Sequence, residues 1–399
     1  MLRSRAPATH VSGGGASRAG GPPLVGIVYP GDPSSPATWS GVPAGLGRGL
    51  EKAGVRVAWI SAEPPPVVSG AAHAIVALRY LPPALPAVRF SLVLAAYGPE
   101  LAAVRSRALR RRLGGRVRPD ALVLMGGNYT VDADIPFAVC DDKTVVQARR
   151  TPSAPWNALP ERAYQQRLSL QRELYRRATA CCALSSWPAE SMVRDFGVPP
   201  ERVHVVGVGR NHQPKPRERD WSRPRFLFVG SEWDRKNGDA VVRAFSRVRE
   251  RVPEARLDVV GRHPRIETPG VTGHGPIFDR RVEELFAAAT CFVLPSLVEP
   301  SALAYAEAAA AGVPSIGTAV GGSGDIIGEA GRILDPRDEE ALLQAMLELC
   351  DPATARGLGA LALERSKLFT YRAMAERVLR ALALPGVELD GLAEPLPAR

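Results

Sequence analysis

Short apolar runs rich in β-branched residues recur along the chain and alternate with amphipathic stretches long enough to form helices. The runs lie at 24–30, 55–61, 90–97, 121–126, 135–141, 180–186 and 203–209, and again at 225–230, 255–261, 291–296 and 314–318. The clearest helical stretches lie at 43–53, 99–113, 238–252 and 370–383. Because the runs are continuously apolar, they predict strands of parallel sheets that helices cover on both faces.

A charged, proline-rich stretch at 211–224 interrupts this alternation and predicts a linker. We therefore expect an α/β protein with one domain at 23–210, a second at 225–370, and a C-terminal helix and tail at 371–399. Ligands bind beyond the carboxyl ends of the strands in such sheets, so two domains would place the site in a cleft between them. Residues 1–22 are rich in Gly, Ala, Ser and Arg without an apolar core, which predicts a disordered leader rather than a secretory signal.

Composition narrows the class of protein. The 399 residues carry a net charge of +10, nearly all of the positive charge being arginine, which suits phosphate and carboxylate ligands. No apolar stretch is long enough to span a membrane, and five cysteines without a C-x-x-C pair indicate neither a disulfide scaffold nor zinc. We expect a cytoplasmic protein that binds no nucleic acid, since no basic run is interleaved with aromatic residues.

The segment at 295–322 carries the most chemical information. Pro300 suits the first turn of a helix and Gly312 its end, which predicts a helix beginning directly after Glu299. Glu299 would then lie beside the free N–H groups of residues 301–303, and Glu307 would follow two turns later on the same side. In the alternative interpretation neither residue binds a ligand: Glu299 only interacts favourably with the helix dipole, and Glu307 is an ordinary exposed residue.

A helix N-terminus binds phosphate, and a carboxylate accepts two hydrogen bonds from neighbouring hydroxyls. Two carboxylates flanking such a helix end therefore suit a nucleotide sugar, which has hydroxyls on both sides of a diphosphate. Glu299 and Glu307 also form an E-x7-E pair that resembles the signature of glycosyltransferase family 4 (group 1), whose members are retaining enzymes with the GT-B fold. The stretches at 38–54, 185–211 and 226–248 resemble the same family, and the likeness covers most of residues 24–380.

The resemblance implies a GT-B fold of two Rossmann-like domains and assigns roles to individual residues. It places Glu299 at the transferred sugar, Lys236 and Arg235 at the diphosphate, and Glu307 at the ribose. Further contacts to the nucleotide sugar are implied for Ser301, Ala302, Leu303, Gly41, Gly230 and His274. The family's Gly-Arg pair is Gly230-Ser231 here, so Arg235 would supply the cation from a shifted position, and Asn237 stands where the family has glycine after the lysine.

The implied reaction is transfer of a sugar from a UDP- or GDP-sugar to a hydroxyl of a glycan, lipid or small metabolite, with retention of configuration and without metal or cofactor. The departing phosphate would take the proton of the acceptor. A nucleotide-sugar epimerase and a non-catalytic sugar-nucleotide-binding subunit remain alternatives. We expect a monomer or homodimer.

Other features carry weaker predictions. Asp132-Ala-Asp134 matches the D-x-D metal motif of another glycosyltransferase fold, but the surrounding pattern does not favour metal binding. Asp141 and Asp142 end a predicted strand and could contact the acceptor or the sugar. His263 and His274 are each expected to follow the end of a strand, at Gly261 and Thr272. The arginine-rich helix at 99–113 predicts either a solvated face or peripheral contact with the inner face of a membrane.

Overall fold

The computed structural model describes residues 9–11, 21–80, 98–115, 118–131, 134–151, 157, 159–277, 280–388, 391–394 and 396. The chain divides into two compact units. The first consists of Met1–Gly207 and Tyr371–Arg399, and the second of Val208–Thr370. Both are built on parallel sheets with intervening helices, as the sequence pattern predicts.

The first unit contains a seven-stranded sheet in the order β1-β3-β2-β4-β5-β6-β7, parallel except for β1. Its strands are β1 (Thr9–Val11), β2 (Leu24–Tyr29), β3 (Arg56–Ser61), β4 (Ala121–Met125), β5 (Phe137–Asp141), β6 (Ala180–Ala183) and β7 (Val203–Val205). Its helices are α1 (Val42–Lys52), α2 (Pro66–Tyr80), α3 (Pro99–Leu113), α4 (Val145–Arg150), α5 (Glu161–Arg177), α6 (Ser186–Arg194) and the C-terminal α13 (Tyr371–Leu382), with short 3-10 helices at Thr38–Gly41 and Pro200–Arg202. The predicted run at 90–97 lies outside the described residues.

One strand falls in the stretch predicted to be a disordered leader. Thr9–Val11 pairs antiparallel with β3, with Thr9 opposite Ile60. A strand of three residues has too little apolar periodicity to be recognised locally, and it forms here because the edge of β3 offers unpaired backbone groups.

Three glycines explain how α13 returns to the first unit. A Cβ on Gly45 would lie 2.2 Å from the Tyr371 ring, and one on Gly49 would lie 2.1 Å from the backbone oxygen of Tyr371. On the facing side, a Cβ on Gly47 would lie 1.9 Å from Trp59. Glycine at every second position of α1 therefore lets the helix approach both β3 and α13.

The second unit contains a six-stranded sheet, parallel throughout, in the order β10-β9-β8-β11-β12-β13. Its strands are β8 (Arg225–Val229), β9 (Arg256–Val260), β10 (Val271–Gly275), β11 (Cys291–Val293), β12 (Ser315–Thr318) and β13 (Gly331–Leu334). Its helices are α7 (Gly238–Arg251), α8 (Arg280–Ala288), α9 (Leu303–Ala310), α10 (Ser323–Ile327), α11 (Glu339–Glu348) and α12 (Pro352–Ser366).

The stretch predicted to be a linker, 211–224, has no helix or strand but is anchored to the second unit. The Arg219 guanidinium donates to the backbone oxygens of Ala289 and Ala311, just beyond the ends of α8 and α9, and stacks 5.0 Å over the Trp221 ring. Carbonyl groups at helix ends lack partners within the helix, so a well-placed arginine satisfies them. The boundary between the units accordingly lies before this stretch, at Gly207–Val208.

We predict that Gly49→Ala destabilises the first unit by about 1–3 kcal/mol, because overpacking outweighs the higher helix propensity of alanine. Urea unfolding followed by circular dichroism measures the change. Gly70→Ala is the matched control, since Gly70 also lies in a helix but nothing lies within 4 Å of its added Cβ. A gain in stability in both variants would contradict close packing of α1 against α13.

Candidate functional site

A buried ion pair lies where the loops after β8 and β11 meet. Lys236 Nζ pairs with Glu299 Oε2, and both side chains are about one-tenth exposed. Arg235 Nη1 lies 3.7 Å from the same oxygen, and the Ser296 hydroxyl donates to it at 3.0 Å. Burial favours a higher pKa for Glu299, but the two cations outweigh burial and lower the pKa, so the carboxylate is ionised.

The loop that carries Lys236 is held by Asn237. This residue has φ 60°, in the left-handed region, and its side-chain amide donates to the backbone oxygens of Pro295 and Pro336 at 3.2 and 2.7 Å. Asparagine tolerates this conformation better than most residues other than glycine. Asn237 therefore adopts a left-handed conformation at this position, and its side chain holds the loop with two hydrogen bonds.

Ser231, which stands where the family has arginine, is exposed, and Arg235 lies in the same loop. Arg235 donates to the Val298 backbone oxygen at 2.8 Å and pairs with the exposed Glu232 at 2.8 Å. Its guanidinium thus reaches the Glu299 carboxylate from within the loop after β8. Gly230 lies at the start of this loop, where a Cβ would lie 2.9 Å from the Lys236 side chain.

The expected helix start at Pro300 is wrong. Helix α9 begins at Leu303, after Ala302 adopts φ 54°. Glu299 instead forms a bridge with Gly321: its N–H donates to the Val320 oxygen, and the N–H of Gly322 donates back to Glu299. Ser301 and Ala302 therefore precede the helix, and only Leu303 belongs to it.

Glu307 lies within α9 and is buried, in contrast to the alternative that made it an exposed residue. Its carboxylate accepts the His212 backbone N–H at 3.2 Å and also accepts from the Asn211 backbone. Burial raises the pKa of Glu307. Arg210 acts electrostatically on the same carboxylate and is fixed by the Ser366 and Phe369 oxygens at 2.8 and 2.9 Å.

The two histidines occupy structural positions. His274 was expected in a loop, but β10 extends to Gly275 and its ring hydrogen-bonds Asp258 at 2.7 Å, which in turn pairs with Arg225 at 2.7 Å. His263 Nε2 accepts the Gly275 N–H at 3.3 Å, which assigns the proton to Nδ1, 2.7 Å from the Pro264 oxygen. The His274 imidazole is thus engaged within the sheet, and the nucleotide contact implied for His274 stays a prediction.

The first unit has its own cavity, of about 280 Å³, at the carboxyl ends of β2, β4 and β5. It is lined by Tyr29, Trp39, Gly126, Gly127, Asn128, Asp141, Asp142, Lys143, Thr144, Val145, Ala148, Arg167 and Gln171. Sequence reasoning identified only the two aspartates in this set. The other residues are spread over five segments, and no local pattern marks them as neighbours.

A strained turn brings Trp39 to this cavity. Trp39, Ser40 and Gly41 have φ values of 41°, 52° and 77°, three successive residues in the left-handed region. The Trp39 ring stacks on Tyr29 with centroids 5.9 Å apart. Backbone strain of this kind is often found at ligand sites, and Gly41, singled out from the sequence, is the N-cap of α1 at the end of the turn.

Buried charges shape the cavity wall. Asp141 accepts the Gly127 N–H at 3.0 Å, the Tyr175 hydroxyl at 2.7 Å and the Gln171 amide at 3.3 Å. Arg167, 1% exposed, donates to the oxygen of the same glycine at 2.9 Å. Burial raises the pKa of Asp141 to about 6 and lowers that of Arg167 to about 10. The Gly127 peptide is thereby fixed from both sides.

No group of three His, Cys, Asp or Glu side chains in the described part of the chain could hold a metal ion. Asp132 of the D-x-D motif lies outside the described residues. None of the described helices has both the length and the apolar character that crossing a bilayer requires.

Comparison with known proteins identifies the family to which most of the second unit is similar. Residues 223–351 match the family model described as Glycosyl transferases group 1. Residues 223–351 are a glycosyl transferases group 1 domain. This group 1 domain contains Arg235, Lys236, Glu299 and Glu307, so the ion pair and the buried glutamate both belong to it.

Among curated relatives, the chain is 28% identical over 232 residues to D-inositol 3-phosphate glycosyltransferase of Nocardioides sp., covering 48% of this chain and 50% of the relative. It is 33% identical over 159 residues to GDP-mannose-dependent alpha-(1-6)-phosphatidylinositol monomannoside mannosyltransferase of Mycolicibacterium smegmatis. That match covers 34% of this chain and 41% of the relative. The chain thus spans about half the length of the curated relatives it matches.

Solved structures extend the likeness to both units. Sucrose-phosphate synthase from Thermosynechococcus elongatus matches with a TM-score of 0.63 at 21% identity, covering 88% of this chain and 96% of that one. WaaG, a glycosyltransferase involved in lipopolysaccharide biosynthesis, matches with a TM-score of 0.55 at 18% identity, and the match covers 72% of this chain and 84% of WaaG. The fold is GT-B, as the sequence resemblance implied.

We predict that the stability advantage of the wild type over Asp141→Asn falls as pH rises from about 4 to about 7, by roughly 3 kcal/mol at most. A pKa raised from 3.8 to about 6 means that the folded state binds this proton more tightly, so stability is lost as the proton leaves. Urea unfolding across this pH range measures the difference. Asp234→Asn, at an exposed aspartate, controls for removal of charge, and a difference that stays constant with pH would contradict the raised pKa.

Proposed function

We propose that the protein transfers a sugar from a nucleoside diphosphate sugar of the UDP or GDP type to a hydroxyl acceptor, with retention of configuration and without a metal ion. The observation that carries the proposal is the group 1 domain in which Lys236, Arg235 and Glu299 form one cluster beyond the carboxyl ends of β8 and β11. Ligands of parallel α/β sheets bind at this edge.

The cluster suits a diphosphate leaving group. Negative charge grows on the phosphate as its bond to the sugar breaks, and fixed cations stabilise that charge without reorganising. Arg235 is held beside Glu299 by its ion pair with Glu232 and its bond to the Val298 oxygen, so its guanidinium is already positioned next to the proposed phosphate site. Lys236 stays close through its pairing with Glu299.

Glu307 is proposed to bind the ribose hydroxyls. Backbone N–H groups of Asn211 and His212 hold its carboxylate, and a carboxylate has about four acceptor positions, so capacity remains for a pair of hydroxyls. In the reaction the bond between the anomeric carbon and the phosphate oxygen breaks, the bond to the acceptor oxygen forms, and the departing phosphate takes the acceptor proton.

The acceptor is proposed to occupy the cavity of the first unit. Stacked Tyr29 and Trp39 offer an apolar face of the kind that packs on sugar rings, and Asp141 and Asp142 offer carboxylates to hydroxyl groups. Lys143 and Arg167 also line the cavity, and Arg167 interacts electrostatically with Asp141. The cavity therefore favours a polyhydroxylated acceptor, such as a sugar or a polyol.

We predict that Glu307→Gln weakens nucleotide binding by about 1–3 kcal/mol, because an amide accepts fewer hydrogen bonds from the ribose. Calorimetric titration with UDP, GDP and ADP measures the loss and identifies the base. Glu254→Gln, at an exposed glutamate of the same unit, should bind like the wild type. Equal affinity of Glu307→Gln and wild type would remove Glu307 from the site.

We also predict that Lys236→Met lowers both turnover and stability, because it leaves the buried Glu299 carboxylate with only Arg235 nearby. The double variant Lys236→Met/Glu299→Gln has no uncompensated carboxylate, so it should recover stability without recovering turnover. Urea unfolding and donor-consumption assays measure the two effects separately. Recovery of turnover in the double variant would show that Lys236 acts only through stability.

Product analysis with and without a panel of sugar and polyol acceptors tests the class of reaction. Transfer requires a glycosylated acceptor and release of the nucleoside diphosphate. A new nucleotide sugar formed without acceptor would instead identify an epimerase. Nucleotide binding without turnover on any acceptor would favour a non-catalytic subunit.

A further inference from the structure

Helix α2 exposes apolar side chains in a way that the sheet and its core do not explain. Val67, Val68 and Ile75 are 83%, 45% and 60% exposed. The helix contains no acidic residue between Pro66 and Tyr80. Val68 and Ile75 are seven residues apart, about two helical turns, and so lie on the same face of α2. Exposed apolar side chains that share one face mark a candidate interaction site.

The arginines of the neighbouring helix α3 fall into two groups, one bonded to other parts of the first unit and one exposed. Arg105 is buried and pairs with Glu63 at 3.2 Å, and Arg112 donates to the backbone oxygens of Ser61 and Glu63. Arg107 and Arg111 are exposed. Neither of these two is ion-paired with another residue in the described ranges.

The two helices border a groove of about 400 Å³. Its lining consists of Pro64, Pro65, Val68, Val104, Arg107, Ala108, Arg111 and Arg112. Three arginines and five apolar residues thus face one space, and none of its lining residues in the described part of the chain carries a carboxylate. A partner that fits this groove must offer negative charge beside apolar surface.

We infer that this α2–α3 groove docks the protein on a membrane surface that contains anionic lipids. Anionic headgroups meet Arg107 and Arg111, while Val67, Val68 and Ile75 enter the boundary between headgroups and acyl chains. Amphipathic helices bind membranes through this combination of apolar contact and basic charge, lying in the interface without crossing it. Here the exposed apolar side chains come from α2 and the arginines from α3. Each basic residue near an anionic surface strengthens binding about fivefold.

Charge complementarity favours a lipid surface over a second copy of this chain. An isologous contact would bring the same arginines of two copies together, and like charges facing each other oppose association. A lipid surface supplies both required chemistries at once. The inference concerns the first unit alone and holds whether or not the proposed transfer reaction is correct.

Flotation of the full chain with vesicles tests the inference. Vesicles of phosphatidylcholine alone are compared with vesicles in which phosphatidylglycerol is one lipid in three. We expect the wild type to float with the anionic vesicles, less so as salt is raised, and to bind neutral vesicles weakly. Arg107→Glu/Arg111→Glu should lower the partition coefficient on the order of tenfold or more, and Val67→Ser/Ile75→Ser should lower it at unchanged net charge.

Arg251→Glu/Arg281→Glu is the matched control, because it makes the same change of charge at exposed arginines of the second unit. It should keep most of the binding. Urea unfolding and nucleotide titration of every variant show that each is folded. The inference fails if folded wild type binds neither kind of vesicle or binds both equally, or if the control loses as much binding as the groove variant.

Size-exclusion chromatography tests the other possible occupant of the groove, a second copy of this chain. A wild type that elutes as a dimer, with Val67→Ser/Ile75→Ser as a monomer, would assign the groove to self-association and overturn the lipid inference. An unchanged elution volume together with lost flotation supports it.

Discussion

Burial of the Glu299 carboxylate constrains the loops around it, since a buried charge is stable only when it is paired and hydrogen-bonded. Lys236 and Arg235 arrive from the loop after β8, and Ser296 from the loop after β11. Backbone pairing with Gly321 then fixes the chain after β12 against the same residue. Three strand ends are thereby held at one carboxylate, and the cations that a diphosphate would need are held there with it.

Left-handed backbone conformations recur at the loops that form the two candidate sites. Asn237 precedes α7, Ala302 precedes α9, and the turn from Trp39 to Gly41 precedes α1. Each lets a chain that leaves a strand turn sharply before its helix begins. Such conformations cost free energy outside glycine, and surrounding contacts must hold them, as the two hydrogen bonds of the Asn237 side chain do.

Helix α3 illustrates how one basic stretch serves different purposes. Inward arginines satisfy Glu63 and nearby carbonyls, whereas outward ones remain beside an exposed apolar helix. The sequence alone presents five arginines on one helix and leaves a solvated face and a membrane contact as alternatives. The difference between them depends on which partners lie across the groove, and those come from residues more than thirty positions away in the chain.

Local pattern was sufficient to predict the α/β class and, apart from β10, the strands from Leu24 to Thr318 that fall in the described ranges, and it revealed the E-x7-E pair. Continuous apolar runs and helical periods are properties of neighbouring residues, so they can be read without knowing the fold. Tertiary structure decided the contacts that join distant segments: the Lys236–Glu299 pair, the start of α9 at Leu303, the cavity at Trp39, and the packing of α13 on α1. Each depends on a partner that lies far away in sequence, and for that reason no spacing or composition of its own segment reveals it.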